Sequence, residues 1–294
     1  MKKKILLTGA TGYLGSHLAK AFLSAGHEVI ALKRKSSSLR RVKSISSEIK
    51  FVDIEALDYD NFFHENKSID VIIHTATCYG RNCESASQIF SVNTEFPLHI
   101  LDAGSRAGVK LFLNTDTTLD KNLNLYAFSK NQFQQWGKYF SQHSKIRFGN
   151  IRLEHFYGPY DEPTKFTSHI ISSCLNNVLE LKLTAGEQKR DFIYIDDVVS
   201  AYMVLLGKLS DIEESFVEFE VGSGHSVPIR EFVEIVHSLT NSKTHLNFGA
   251  VSYRKGELMH SEANVSGLVA LGWQCLNNVD SGLKKIIEIE RMKI

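Results

Sequence analysis

Tyr126 and Lys130 stand four positions apart in the segment Tyr126-Ala127-Phe128-Ser129-Lys130. On a helix that spacing puts both side chains on one face. A phenol with its ordinary pKa of about 10 exchanges protons poorly at neutral pH. An ammonium beside it stabilises the phenolate and moves the phenol toward the working range of an acid–base group. Upstream lies a hydroxyl cluster, Asn114-Thr115-Asp116-Thr117-Thr118, where a third group could link the phenol to a substrate oxygen. The Tyr–Lys spacing alone is common on protein surfaces. Its meaning therefore depends on the rest of the chain.

A second feature opens the sequence. The apolar run Ile5-Leu6-Leu7 leads into Thr8-Gly9-Ala10-Thr11-Gly12-Tyr13-Leu14-Gly15, followed by a helical pattern. One glycine permits the turn, one lets backbone approach a pyrophosphate, and one lets the helix pack close to the strand. The helix N-terminus adds N–H groups and a partial positive charge. This spacing, G-x-x-G-x-x-G between strand and helix, points to a dinucleotide. The second strand ends in Leu32-Lys33-Arg34-Lys35-Ser36-Ser37-Ser38, with Arg40-Arg41 nearby. NAD enzymes usually place a carboxylate here for the adenosine ribose, which would repel a 2′-phosphate. A basic loop with hydroxyls suits that phosphate instead, so NADP(H) is expected over NAD, with Arg34 as the main contact and Lys33 beside it. Asp53, ending the third strand, is placed to meet the adenine amino group; a plain turn aspartate is the rival reading.

These groups need a scaffold. Candidate strands are Ile5–Thr8, Glu28–Leu32, Ile49–Val52, Val71–His74 and Lys110–Asn114, too apolar for a solvated face and hence buried on both sides. Between them run helices such as Leu14–Ala25, closed by Gly26, and Pro97–Ala107, closed by Gly108. The alternation implies an α/β fold, a Rossmann-type doubly wound parallel sheet. Open sheets of this kind bind ligands at the C-terminal edge, where the threonine cluster falls. A sixth strand near Gly149–Phe156 runs into Tyr157-Gly158-Pro159, a candidate boundary.

The bulk numbers agree. The chain has 294 residues, 43% of them hydrophobic, enough for a large core. Lys plus Arg (34) almost balance Asp plus Glu (33), and a net charge of +1 offers no general attraction to nucleic acid or an anionic membrane. The basic start, Met1-Lys2-Lys3-Lys4, precedes an apolar run broken at once by Thr8-Gly9, so export is not expected. No run approaches the roughly 18 apolar residues of a membrane span. Cys78, Cys83, Cys174 and Cys275 form neither a CxxC pair nor a dense framework. They read as reduced thiols in a cytoplasmic protein, with no metal site.

With TGATGYLG, HTAT (His74–Thr77), the threonine cluster, YAFSK and QKRDFIYIDDVV (Gln188–Val199), the chain resembles an extended short-chain dehydrogenase/reductase. More narrowly it resembles the nucleotide-sugar epimerases, dehydratases and reductases of that group. The similarity continues through Ile151–Pro159, matching an LRxxNxYGP segment, Val221–Gly224 (VGSG), Tyr253–Glu257 (RPG) and Leu271–Trp273 (LGW). It departs from the pattern at His155 for Asn, Lys255 for Pro and Asn264 for Asp. The resemblance implies a dinucleotide-binding domain over residues 1–160, with 191–220 joining it. A smaller α/β substrate-binding domain would comprise 161–190 and 221–294.

The same resemblance implies roles. Thr117 aligns with the catalytic Ser/Thr, with Thr115 the alternative; Tyr126 would be the acid/base and Lys130 its partner. Gly9, Thr11, Gly12, Tyr13, Leu14, Gly15, Ile54, Ala76, Thr115, Tyr126 and Lys130 would border the cofactor. Thr77, Thr117, His155, Arg190 and Arg254 would border the nucleotide-sugar, the two arginines at its diphosphate. A surface salt bridge is the other reading for each arginine. The 4,6-dehydratases carry Asp-Glu after the catalytic Thr, whereas Thr117 is followed by Thr118-Leu119. The wording EHFYGP and GEQKRDFIYIDD is most similar to CDP-sugar 4-ketoreductases of the CDP-abequose and CDP-paratose synthase type, which serve O-antigen assembly. That implies NADPH-dependent reduction of the C4 keto group of a nucleotide-linked deoxysugar such as CDP-4-dehydro-3,6-dideoxyglucose. The alternatives are an NAD-dependent 4-epimerase and, in another class, a catalytically silent dinucleotide sensor or scaffold. A homodimer is implied, packed through the helix begun at Tyr126 and its neighbour near Pro97–Ala107.

Overall fold

The computed structural model describes residues 2–209 and 212–292. The expected domain ranges also take in positions 1, 210–211 and 293–294, which lie outside the described residues. By its contacts the chain divides into two compact units, Met1–Arg152 with Tyr202–Phe219, and Leu153–Ala201 with Glu220–Ile294. The expected boundaries at 160 and 191 both fall inside the second unit.

The first unit is built on a seven-stranded sheet. Its strands are β1 (Lys4–Thr8), β2 (Glu28–Lys33), β3 (Ile49–Asp53), β4 (Val71–His74), β5 (Leu111–Thr117), β6 (Arg147–Leu153) and, after three strands of the second unit, β10 (Phe216–Val221), in the order β10-β6-β5-β4-β1-β2-β3. The pairs β1–β2, β2–β3, β1–β4 and β4–β5 are all parallel. The chain moves outward from β1 to β2 and β3, then returns to place β4 on the other side. The ends of β1 and β4 therefore flank the switch point, where doubly wound sheets open a ligand crevice.

Helices α1 (Tyr13–Ser24), α2 (Tyr59–Glu65), α3 (Ala86–Phe90), α4 (Phe96–Arg106) and α5 (Leu125–His143) follow in chain order. Leu6, Ile30, Ile72, Leu101, Phe112, Phe133 and Phe148 form one core at 3% exposure or less. Burial of each such side chain contributes about 1.5–3 kcal/mol. Lys110 is left out of β5, which instead continues to Thr117, because backbone pairing carries the strand past its apolar stretch.

The sixth strand differs from the expectation. Gly149–Phe156 is not one strand: β6 ends at Leu153, and β7 (His155–Tyr157) belongs to another sheet. The break falls at Glu154, whose carboxyl is buried and bonded to Ser261 at 2.6 Å. A run read as continuous from its β-branched and aromatic residues thus changes sheets at a buried charge.

The second unit contains β7, β8 (Glu180–Leu183), β9 (Lys189–Tyr194), β11 (Ser226–Pro228) and β12 (His245–Phe248), arranged as a three-stranded sheet β11-β9-β7 and the parallel pair β12–β8. Helices α6 (Phe166–Leu175), α7 (Ile195–Lys208), α8 (Ile229–Thr240), α9 (Ser266–Ala270) and α10 (Val279–Arg291) complete the chain. Two buried aspartates organise its loops. Asp191 accepts N–H groups from Ser223, Gly224 and Ala263, and Asp197 those of Leu276 and Asn277. Asp191 and Asp197, the latter the last residue of the IDD wording, therefore act structurally. No described helix is long and apolar enough to cross a membrane.

Candidate active site

The glycine-rich turn is locked across β1 and β4. The Thr8 hydroxyl meets His74 Nδ1 at 2.7 Å and accepts the N–H groups of Thr75 and Ala76 at 3.2 and 3.3 Å. Burial pushes the His74 imidazole well below its usual pKa, and its ring packs against Phe96, Phe112 and Phe133; it is a neutral core group. Gly9 has φ +73°, and a Cβ there would sit 2.6 Å from the Ala76 nitrogen. At Gly15 a Cβ would lie 2.1 Å from the Gly9 carbonyl oxygen, so the start of α1 presses directly on the turn. A Cβ on Gly12 would meet only the Gly9 carbonyl, at 3.1 Å. Gly12 is also the N-cap of α1, with no side-chain cap and no acidic residue in the first turn. A tight turn, bare backbone and an uncapped helix start fit a dinucleotide pyrophosphate. Thr11, Tyr13, Leu14 and Ala76 all belong to this locked turn or its β4 counterpart.

The basic loop is partly neutralised. Lys33 Nζ lies 2.5 Å from Asp53 Oδ1, so two expected cofactor contacts are paired with each other. The N–H of Ile54 is taken by the Lys33 carbonyl. Arg34 is exposed, in a turn closed by Ser37. Arg41 is the residue sequence reasoning undervalued. A 3₁₀ helix over Arg40–Glu48 brings its guanidinium over the Tyr13 ring, 5.8 Å from the centroid, at the first turn of α1. Burial, then Lys20 and Arg41, push the neighbouring His17 imidazole down to about 4. No local spacing rule links position 41 to position 13; only the packing does.

The proton-relay residues converge. Asn124 caps α5, accepting the Ala127 N–H at 2.9 Å, and α5 then carries Tyr126 and Lys130 on one face. Lys130 is 1% exposed and donates from Nζ to the Thr115 carbonyl at 2.9 Å. The Thr117 hydroxyl hydrogen-bonds the Tyr126 phenol. The Thr115 hydroxyl instead meets the Tyr202 hydroxyl at 2.5 Å. Of the two candidates, Thr117 thus reaches the phenol with its side chain, while Thr115 offers the lysine its backbone. Contrary to the expectation that a neighbouring ammonium lowers it, the Tyr126 phenol is pushed well above its usual pKa by desolvation, then by Tyr79 and Asp116. Burial outweighs the groups that favour the phenolate, and the phenol holds its proton at neutral pH. Desolvation brings Lys130 down to about 8.

The segment after β4 closes over this group. The Tyr79 and Tyr126 rings lie 5.1 Å apart, and Arg81 lies over Tyr79 at 4.7 Å. Asn93 ties the segment down, accepting from the Cys78 N–H at 2.7 Å and the Thr77 hydroxyl at 3.3 Å, and donating to Ser129 on α5 at 2.9 Å. Sequence reasoning missed Tyr79, Arg81 and Asn93. For Tyr79 and Arg81 the available signal was their place directly after HTAT at the edge of the sheet; Asn93, in the helical segment Ser91–Glu95, had none.

The second unit holds the remaining candidates. His155 Nδ1 is 3.2 Å from Glu154 Oε2. Arg190 is 8% exposed and pairs with Glu257 at 2.5 Å. The Glu257 N–H bonds the Arg254 carbonyl in a turn through Gly256 (φ +75°), leaving the Arg254 side chain exposed. Glu257 thus pairs with Arg190 by its side chain and follows Arg254 in the turn by its backbone. The salt-bridge reading of Arg190 is realised in a buried form.

Comparison with known proteins follows the same lines. The chain is 35% identical over 297 residues to a CDP-abequose synthase of Salmonella muenchen, covering 99% of both chains. It is 33% identical to the CDP-abequose synthase of Salmonella typhimurium, covering 98% of each. Among solved structures, a UDP-glucose 4-epimerase from Thermotoga maritima shares the fold with a TM-score of 0.85 at 19% identity, over 99% of both chains. Residues 5–222 match the NAD dependent epimerase/dehydratase family, and with a doubly wound sheet, a glycine cradle and a Tyr–Lys pair at its edge the chain belongs to that family.

Proposed function

We propose that this protein is an NADP(H)-dependent reductase of the C4 keto group of a nucleotide-linked deoxysugar, CDP-4-dehydro-3,6-dideoxyglucose or a close analogue. The observation that carries the reading is the buried Thr117–Tyr126–Lys130 arrangement, in which the phenol keeps its proton and is aimed by a hydroxyl. The substrate class is drawn from the full-length likeness to the CDP-abequose synthases.

When bound, a reduced nicotinamide dinucleotide supplies a hydride. The chain's own residues do the rest. Gly9, Gly12, Gly15 and the start of α1 would hold the pyrophosphate, and Arg34 with Arg41 the 2′-phosphate. Thr117 orients the substrate oxygen against Tyr126, which releases its proton to that oxygen as the alcohol forms. The Lys130 ammonium stabilises the phenolate left behind, in a site where burial strengthens the interaction. Within the first unit Thr77 and Tyr79 would face the sugar; within the second, His155, Arg190 and Arg254 are the candidates for nucleotide-sugar contacts, the two arginines for its diphosphate. A cytoplasmic homodimer packed through α4 and α5 accompanies this reading; Phe128, Trp136 and Tyr139 are exposed on α5.

The family also supports a 4-epimerase, since solved epimerases share this fold. An epimerase returns the hydride it removes and gains by never releasing its dinucleotide. Purified protein offered NADPH and a panel of CDP-, dTDP-, UDP- and GDP-linked 4-keto sugars should oxidise one NADPH per sugar reduced. Tightly held NAD, with C4 epimers interconverting and no added cofactor, would transfer the assignment to an epimerase.

A further inference from the structure

The residue between the two threonines is a carboxylate with no exposed side-chain surface. Asp116 accepts the Thr117 N–H at 2.8 Å, the Lys121 ammonium at 2.6 Å and the Asn150 amide at 2.9 Å. Asn150 is itself fixed, donating to Glu218 at 2.8 Å and accepting from Asn114 at 2.8 Å. The carboxylate thus stands on a hydrogen-bonded floor drawn from β5, β6 and β10. Burying an ion pair costs desolvation that the pairing only partly returns. Serine or asparagine could anchor the Thr117 turn without that cost. What a carboxylate adds is charge, and this one is close to both members of the Tyr–Lys pair.

We propose that Asp116 is the positioning residue of the site: braced by Lys121 and Asn150, it fixes Thr117 against Tyr126 and lays its carboxyl group beside the Tyr126–Lys130 pair from which a substrate oxygen takes its proton. The proposal rests on the reading of Tyr126 as proton donor. Other groups also act on the pair. Tyr126 faces Thr117, Tyr79 and Arg81, with Arg81 opposing Asp116 and Tyr79 acting alongside it. Lys130 faces the Thr115 carbonyl, His74 and Lys121, with Lys121 opposing Asp116. Asp116 and Lys121 therefore push Lys130 in opposite directions. The same juxtaposition places an acid directly before Thr117, where it cannot serve as the post-threonine pair of a dehydratase but can keep the pair protonated until substrate binds.

The test titrates the substrate-free protein by NMR with isotope-labelled lysine and tyrosine, assigning signals through their loss in Lys130→Met and Tyr126→Phe. Asp116→Asn should lower the Lys130 titration from about 8 by about one pH unit, and that of Tyr126 likewise. Lys121→Met should raise the Lys130 titration, while Asp116→Glu should restore it. The alkaline limit of NADPH oxidation should move with Lys130. Unchanged titrations in a folded Asp116→Asn protein would reduce Asp116 to a strut. If that variant does not fold, an unshifted Lys130 in Lys121→Met would overturn the proposal equally. Titrations that move as stated in a protein that reduces none of the sugars would sink the reductase reading and leave the Asp116 role standing.

Discussion

The two units treat their candidate residues differently. In the first, Thr117, Tyr126 and Lys130 are held by strand pairing, a capped helix and a buried carboxylate, and Lys130 is 1% exposed. In the second, Arg190 is buried but paired with Glu257, and Arg254 sits on an exposed turn. Proton transfer needs reacting groups fixed within a fraction of an ångström, so rigid elements and desolvation suit it. Recognition of a diphosphate tolerates side chains that exchange one anionic partner for another. Under the proposed reading, chemistry belongs to the first unit and substrate choice to the second, and each part can be challenged.

The largest effect should come from Tyr126→Phe. The ring stays and only the transferable proton goes, so kcat should fall on the order of 10²–10⁴-fold with cofactor affinity unchanged. A loss of only a few-fold would place the proton donor elsewhere and dissolve the contrast.

Arg190→Ala should instead raise KM for the nucleotide-sugar. Losing a charge-assisted contact costs about 1.5–3 kcal/mol, roughly tenfold to a hundredfold, with kcat within a few-fold. Steady-state kinetics decides: a matching fall in kcat would show that the second unit shapes the reacting geometry too.

Arg41→Ala and Arg34→Ala separate two ways of reading the basic loop. Each should weaken NADPH about tenfold while leaving NADH nearly untouched, because only NADPH carries the 2′-phosphate. Fluorescence titration with both cofactors reports this directly. Equal losses for the two would assign Arg41 to packing on Tyr13 and Arg34 to the turn.

The smallest effect is in pH. Lys130 is lowered to about 8 by burial, so its ammonium is present below that pH and lost above it. Tyr126 is raised and stays protonated throughout. Reduction should therefore be flat near neutrality and fall as pH rises through about 8. KM for the sugar should lack that inflection, because Lys130 acts on the proton transfer and not on the diphosphate. A profile that rises through this range would mean that an unprotonated lysine or phenolate carries the reaction.

The strands β1 to β4 were legible to within a residue, because two-sided burial leaves an apolar run with few alternatives. The glycine turn and the Tyr–Lys helix were legible for a related reason: a positive φ at Gly9, a contact at Gly15 too close for any Cβ and a four-residue spacing are local demands that only certain residues meet. The division between Leu153 and His155 was not legible, since a sheet change depends on partners such as Ser261, far along the chain. Nor was the pairing of Lys33 with Asp53 or the reach of Arg41 to Tyr13. Asp116 is the clearest case. Its sequence neighbours suggest a loop aspartate, yet Lys121, Asn150 and the edge of three strands bury it beside the reacting pair. Local rules determine which elements form and which motifs they carry. Which charges end up sharing a desolvated space is decided by contacts between residues far apart in sequence, and the strength of each charge follows from that burial.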